Sequence, residues 1–288
     1  MDDYLIPAVD GVAYGLLLFV VAAGLTLAFG VGDVLNLAHG TLYAFGAYAA
    51  AEISDGSWGS LALAALVGAA TAGAGGALLS VMLVPLGGRG HLAQALLTFG
   101  VALVAGDRLI ALFGKDDLGV TVPAALDRTV HLAGHSYPGY RLALIGVAAL
   151  IAAGLALLVA RTRVGGLVRA TVDDRDMVAM LGVSPFAVRT GVLAGAGALA
   201  GLAGALGAPI IGPGPRTADT VLMLSLVVVV LGGMGSIVGA LVAAIAVGEI
   251  QTVGVANFPT VAPFALFGAM AIALAARARG LLPSGRSA

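Results

Sequence analysis

The chain contains no cysteine among its 288 residues, and only 10% of those residues are charged. The absence of cysteine excludes disulfide bonds, cysteine-ligated metals and thiol catalysis together. A charged fraction this low, beside a hydrophobic fraction of 60%, excludes an ordinary soluble domain. The net charge of -1 gives no signal for nucleic-acid binding. The composition therefore indicates an integral membrane protein.

Motifs of soluble catalysis are missing as well. The four histidines are scattered, and neither an H-E-x-x-H nor a G-x-S-x-G motif occurs. The Gly114-Lys115 pair lacks the glycine frame and the following Ser or Thr of a phosphate-binding loop. We therefore expect no enzyme activity, no ATP hydrolysis on this chain, no cofactor and no metal.

The sequence contains several long runs without charged residues. Because these runs are continuous and do not alternate every second residue, they favour helices over a barrel. The 44 glycines, many beside alanine, suit close helix packing in lipid. We predict an all-α, polytopic transmembrane bundle with eight or nine membrane segments, some of them short and broken, in one domain covering 1–288. The predicted segments are 11–32, 34–51, a span within 56–88, 92–113, 142–160, 190–215, two segments within 220–249, and 261–276, with a loop at 114–140.

A polar island at 161–185 separates two of these segments and sets the orientation. Its arginines, and those near its edge, place it in the cytoplasm by the positive-inside rule. An N-terminus outside and a C-terminus inside agree with the other charges. The arginines assigned to the cytoplasmic side are Arg89, Arg161, Arg163, Arg169, Arg175, Arg189, Arg277, Arg279 and Arg286.

The island predicts a short helix over 174–181. Asp173 is placed to cap it, Asp174 lies in its first turn, and Gly182 is placed to end it. Helical spacing puts Met177, Met180 and Leu181 on one face, either as ordinary packing or as a contact surface. A helix this short is unstable alone in water, so it must dock on its own membrane domain or on a partner. Ser184-Pro185 then begins the next long helix.

Two glycine-containing segments hold polar groups within apolar runs, which is the pattern of a translocation site between broken helices. Asn36 and His39, with Gly40, either line a watery path or pin one helix to another. The second segment, Gly232-Gly233-Met234-Gly235-Ser236, divides the run over 220–249. It forms either a tight turn or a gate. Glu249 is read as an interfacial carboxylate.

The order of these motifs resembles the permease subunits of bacterial branched-chain amino acid ABC transporters, over nearly the whole chain. The resemblance rests on Asn36-Leu37-Ala38-His39-Gly40, on the island from Gly166 to Val183, and on the glycine motif from Gly232 to Gly239. The length and the early first span are similar to the shorter of the two paired permeases in such systems.

This resemblance implies a multi-pass protein of the bacterial cytoplasmic membrane. It works with a second permease, as a homodimer or heterodimer, with two cytoplasmic ATPase subunits, and with an external solute-binding protein. The two glycine-containing segments themselves predict a pathway or gate at Asn36, His39, Gly40, Gly232, Gly233, Gly235 and Ser236. The resemblance also implies an ATPase-coupling loop over 161–186, with Arg169, Ala170, Asp173, Asp174, Met177, Leu181 and Gly182 as contacts.

Two alternative functions stay open at this point. The wider family includes permeases for urea, short amides and sugars, so the substrate is not fixed by the resemblance. An ion-coupled secondary transporter would need a membrane carboxylate, for which Glu249 is the candidate.

Overall fold

The computed structural model describes residues 2–32, 34–86, 89–132 and 135–278, and it is a bundle of helices with one small hairpin. Arg279 and Arg286, which were assigned to the cytoplasmic side, lie outside the described residues. The helices are α1 (Asp2–Gly32), α2 (His39–Ile53), α3 (Trp58–Met82), α4 (Gly90–Phe113), α5 (Gly139–Arg161), α6 (Arg163–Asp173), α7 (Arg175–Met180), α8 (Pro185–Gly207), α9 (Thr217–Gly232), α10 (Ile237–Glu249), α11 (Val255–Asn257) and α12 (Ala262–Ala278). A π-helical turn, Ile250–Gly254, joins α10 to α11.

Within the described residues, six helices are long and apolar enough to cross a membrane. They confirm a polytopic helical bundle, whereas the predicted count of eight or nine membrane segments is not confirmed. The other bundle helices are shorter: α2 has 15 residues, α9 has 16 and α12 has 17. The six long ones are Leu5–Gly30, Trp58–Met82, Gly90–Phe113, Gly139–Arg161, Pro185–Gly207 and Ile237–Asn257.

Helix α1 is the centre of the bundle. It is apolar on every face, which is the pattern of a helix surrounded by others, and Leu17, Leu18 and Phe19 are each at most 1% exposed. It packs against α10, α8, α5 and α9. The two helices α1 and α10 are antiparallel, because Gly11 lies against Glu249 while Gly30 lies against Gly235.

Small residues set the tightest helix contact, between α3 and α8. A Cβ added to Gly197 or Gly201 would run into the α3 backbone at Ala72 or Gly68, and one added to Gly76 would run into Leu193 of α8. Backbones this close require glycine at the crossing. The tight packing predicted for this segment is therefore confirmed.

One segment prediction was wrong, and another was incomplete. The predicted span 190–215 ends at Gly207, and 208–216 is non-helical backbone that meets the loop after α4, where the Leu118 N–H donates to the Pro213 carbonyl at 2.9 Å. The predicted loop at 114–140 contains an antiparallel hairpin, β1 (Thr129–Leu132) and β2 (His135–Pro138). Proline and glycine in 208–216 end helix α8, and pairing of Val130 with Tyr137 organises the hairpin.

Candidate functional site

A short non-helical segment, 34–38, leads into α2 and is supported from α4. The Thr98 hydroxyl donates to the Leu35 carbonyl at 3.0 Å and accepts from the Leu37 N–H at 3.1 Å. Irregular backbone inside a membrane bundle is tolerated only where protein or water satisfies its polar groups. Thr98, which is fully buried, therefore holds this segment inside the bundle.

Asn36 and His39 are both buried at the start of α2. His39 Nε2 lies 2.9 Å from the Val21 carbonyl of α1, and since a carbonyl only accepts, Nε2 carries the proton. This bond pins α2 to α1, as one of the two readings of His39 predicts. Asn36 Oδ1 accepts from the Ala38 N–H at 3.0 Å. Among the described residues, Asn36 Nδ2 and His39 Nδ1 have no hydrogen-bond partner.

Gly40 brings the start of α2 against the start of α9. A Cβ added at Gly40 would overlap the carbonyl oxygen of Ala218 and lie 2.9 Å from Cβ of Leu222. Both helices begin inside the bundle, each after a non-helical segment, 34–38 for α2 and 208–216 for α9. Two short helices that begin at one interior point are the arrangement found around transport sites.

Sequence reasoning missed Thr217 and Ala218, which lie where the start of α9 meets the start of α2. The signal was available in Pro213-Gly214-Pro215, which breaks any helix that precedes it. Thr217 closes the loop through its hydroxyl, which accepts from the Gly214 N–H at 2.9 Å and donates to the Gly212 carbonyl at 2.7 Å.

The glycine motif at Gly232–Ser236 is a tight turn between α9 and α10. Gly233 and Gly235 have φ of 96° and 85°, which a side chain would strain, and the Ser236 hydroxyl caps α10 by accepting from the Gly239 N–H at 3.0 Å. The turn lies against Gly30 of α1, whereas His39 is bonded to Val21 nine residues earlier. That separation is about 13 Å along the helix. The structure therefore does not bring the two glycine segments together.

The polar island forms two helices, α6 and α7, so the prediction of a single short helix capped by Asp173 was wrong. Asp173 is the last residue of α6, and Asp174 caps α7, with its Oδ1 accepting from the Met177 N–H at 2.9 Å. Helix α6 has its own cap, Thr162, whose hydroxyl accepts from the Gly165 N–H. Because α6 runs through Asp173, the extended cap conformation falls one residue later.

Gly182 ends α7, as predicted. The φ of Gly182 is +84°, and its N–H donates to the Ala179 carbonyl at 3.0 Å. The Val183 N–H donates to the Val178 carbonyl at 3.3 Å. These two bonds define a Schellman motif, which fixes the helix end. The Ser184 hydroxyl then caps α8, with Pro185 in its first turn as predicted.

Each island helix has a residue buried against the rest of the protein, and α7 also has an exposed apolar face. Val168 and Val178 are buried, whereas the predicted face of Met177, Met180 and Leu181 is 53%, 80% and 74% exposed. This exposed apolar face is the α7 face named below. Of the other predicted coupling residues, Ala170 is half-buried and Arg169 donates from Nη1 to the Val159 carbonyl at the end of α5.

Glu249 ends α10 against the first part of α1. A Cβ added at Gly11 would lie 2.6 Å from the Glu249 carboxyl carbon, so the glycine makes room for this side chain. Within the described residues no group of His, Cys, Asp and Glu side chains could hold a metal ion.

Comparison with known proteins gives one family and two relatives. The family described as branched-chain amino acid transport system, permease component, matches residues 8–275. The high-affinity branched-chain amino acid transport system permease protein BraD of Pseudomonas aeruginosa is 25% identical over 301 residues, covering 97% of this chain and 95% of BraD. The corresponding permease protein LivM of Salmonella typhimurium is 28% identical over 307 residues, covering 97% of this chain and 71% of LivM. No solved structure matches this chain significantly.

Proposed function

Because the chain belongs to the permease component family of branched-chain amino acid transport systems, we propose that it translocates branched-chain amino acids as the membrane subunit of an ATP-driven importer. Its partners are a second permease, two ATPase subunits on the cytoplasmic side and an external solute-binding protein that delivers the substrate. The chain lies in the cytoplasmic membrane with its N-terminus outside and the α6–α7 island inside.

The α7 face is the observation on which the proposal rests most. A six-residue helix has no independent stability, yet α7 is capped at its start by Asp174 and at its end by Gly182. Its methionines and leucine are left exposed where a monomeric soluble surface would carry charge. Methionine adapts its shape to a partner groove. A helix built at both ends but uncovered on its apolar face suits a groove on an ATPase subunit.

The island is mechanically connected to the bundle. It follows α5 directly and leads through Ser184 into α8, which packs against α1, α2 and α3. Arg169, bonded to the last turn of α5, ties α6 to that helix. Movement of α7 by an ATPase would therefore reach α5 and α8 without a flexible linker.

The start of α2 and the start of α9 form the moving part of the pathway in this proposal. Asn36, His39 and Gly40 contribute from one side, and Ala218 from the other. The unpartnered polar atoms of Asn36 and His39 become available to water or substrate when the two helix starts separate. The Gly232–Ser236 turn acts as a hinge between α9 and α10.

Uptake into proteoliposomes tests the proposal. The chain is reconstituted with its permease, ATPase and binding-protein partners, and uptake of labelled leucine, isoleucine and valine is followed with and without enclosed ATP. We expect uptake that requires ATP hydrolysis and survives dissipation of ion gradients. Uptake that ignores ATP but collapses with an ion gradient would instead identify a secondary transporter. If urea or short amides are taken up and leucine is not, the protein transports one of the other substrates of the wider family.

A further inference from the structure

A cavity of about 320 Å³ opens at the N-terminal end of α1, away from the α7 face. Its polar wall holds Asp10 and Tyr14 of α1, Arg141 of α5 and Thr252 of the π-helical turn. Its apolar wall holds Ile6, Pro7, Ala13, Ile210 and Ala256. The volume is at the low end of small-molecule pockets, which suits a ligand the size of one amino acid.

An ion pair lies in this cavity with both partners accessible. Arg141 Nη1 contacts Asp10 Oδ2, and the two side chains are 35% and 21% exposed. Arg141 has five N–H donors, so its contacts with Asp10 and Tyr137 leave donors for a ligand. The Tyr137 hydroxyl of the hairpin donates to Asp10 Oδ1 at 2.5 Å, which fixes the carboxylate from the other side. Burial, and then the hydrogen bond to Asp10, raise the pKa of Tyr137, so its phenol stays a donor.

Charge balance decides which ligands fit. The Asp10–Arg141 pair is neutral, and an anionic or cationic ligand would leave one charge uncompensated in a partly buried, apolar site. A zwitterion keeps the site neutral and gives each charged side chain an opposite partner. An α-carboxylate matches the planar fork of arginine, and an α-ammonium matches the aspartate. The apolar wall then faces the side chain of the bound amino acid.

The part of the cavity wall that holds Thr252 has unusual backbone. The helix widens into a π turn at Ile250–Gly254, where the Thr252 hydroxyl donates to the Gly248 carbonyl at 3.0 Å. Such turns are uncommon inside α-helices and recur at functional sites. Gly15, which follows Tyr14 of the cavity wall, and Gly248 let α10 approach α1 closely.

We propose that this cavity is a binding site for a zwitterionic, apolar amino acid, with Arg141 binding the carboxylate and Asp10 the ammonium group. The assignment deepens the proposed function and depends on it. In the proposed orientation the cavity opens outward, so a released amino acid meets it before the narrow point between α2 and α9.

Equilibrium binding to the membrane complex of permeases and ATPase subunits in nanodiscs tests the assignment, with labelled L-leucine as the probe. The solute-binding protein is left out because it would bind leucine itself. The competitors are leucinamide, which lacks the carboxylate, and 4-methyl-2-oxopentanoate, which lacks the ammonium group. In the wild type we expect unlabelled leucine, and neither analogue, to displace the probe strongly. Arg141→Gln should weaken leucine binding about 10- to 100-fold, the range for a lost charge-assisted bond, and should remove the preference for leucine over leucinamide. Asp10→Asn should remove the preference over the oxo acid.

Matched controls separate recognition from structure. Asp127→Asn and Arg128→Gln change an exposed pair in the outer loop, away from the cavity wall, and should leave binding and selectivity unchanged. Ala256→Phe fills the cavity without removing either charge and should abolish binding. If the Asp10 or Arg141 variants fail to fold, leucine binding by Ala256→Phe still tests whether the cavity is the binding site.

The inference is overturned if the wild-type complex does not bind leucine, if both charge variants keep wild-type selectivity, or if Ala256→Phe binds normally. ATP-driven leucine uptake by the wild type, measured in parallel, shows whether the proposed function survives that result.

Discussion

Replacing Gly40 by alanine tests the contact between the starts of α2 and α9. The added Cβ would overlap the Ala218 carbonyl oxygen and lie 2.9 Å from both the Ala218 carbonyl carbon and Leu222 Cβ. Carbon atoms in ordinary contact are about 3.5–4.0 Å apart, so α2 must move away from α9 by several tenths of an ångström or more. Overpacking of this kind costs about 1–3 kcal/mol, equivalent to a 5- to 150-fold fall in the folded-to-unfolded ratio.

The assay for this prediction is reversible unfolding of the purified permease in mixed micelles, followed by uptake in proteoliposomes. Gly100→Ala in α4 is the matched control, because the described chain has nothing within 4 Å of a Cβ added there. We expect Gly40→Ala to lose stability and leucine uptake, and Gly100→Ala to be at least as stable as wild type, because alanine favours a helix more than glycine does. If the two variants behave alike, the close approach of α2 to α9 is not the constraint that the structure describes.

Three further changes probe other parts of the chain. Asp174→Ala removes the acceptor of the Met177 N–H and should cost α7 about 1 kcal/mol; the leucine transported per ATP hydrolysed should fall, and an unchanged ratio would exclude a coupling role for the cap. Gly233→Leu forces a side chain into φ of 96° at a cost of about 1–3 kcal/mol; uptake should be lost while the neighbouring Met234→Leu transports normally, and normal uptake by both would leave the glycine as a simple turn. Hydrogen bonds from the Ser60 hydroxyl and then the Ser57 N–H hold the pKa of Asp55 below its usual range, so the stabilisation of the α3 start is present above about pH 4 and is lost as pH falls through the folded pKa. Protease sensitivity of this loop should rise in acid for the wild type and stay flat for Asp55→Asn, and equal pH profiles would remove Asp55 as the cause.

Local signals in the sequence predicted the local features of the island. Gly182 ends α7 and Ser184-Pro185 begins α8, because a left-handed glycine and a Ser-Pro pair act on the backbone within a few residues. Neighbouring residues alone do not determine whether Asp173 or Asp174 caps α7. The choice depends on where α6 ends, and α6 begins at a separate cap, Thr162.

Contacts between residues distant in the chain could not be predicted from local sequence signals. Hydropathy could not divide 190–215 because the whole run is uncharged, although Pro213-Gly214-Pro215 marks a break near its end. Helix α8 ends at Gly207, and the segment that follows it is bonded to Leu118, which is distant in the chain. The meeting of Gly40 with Ala218 joins residues far apart in the chain, so neither motif alone indicates it. The Asp10–Arg141 pair has the same character: each residue reads as an ordinary boundary charge until α1 and α5 are packed side by side.

The central claim is that α7 lies on the cytoplasmic side and is moved there by an ATPase subunit. Because the chain has no cysteine, Met180→Cys introduces a single thiol at an 80% exposed position of the α7 face. Labelling with a membrane-impermeant maleimide is compared between intact cells and inside-out vesicles, with and without the ATPase subunits bound. The account predicts labelling only in inside-out vesicles, and protection when the ATPase is bound. Labelling from outside intact cells would contradict both the orientation and the proposed drive.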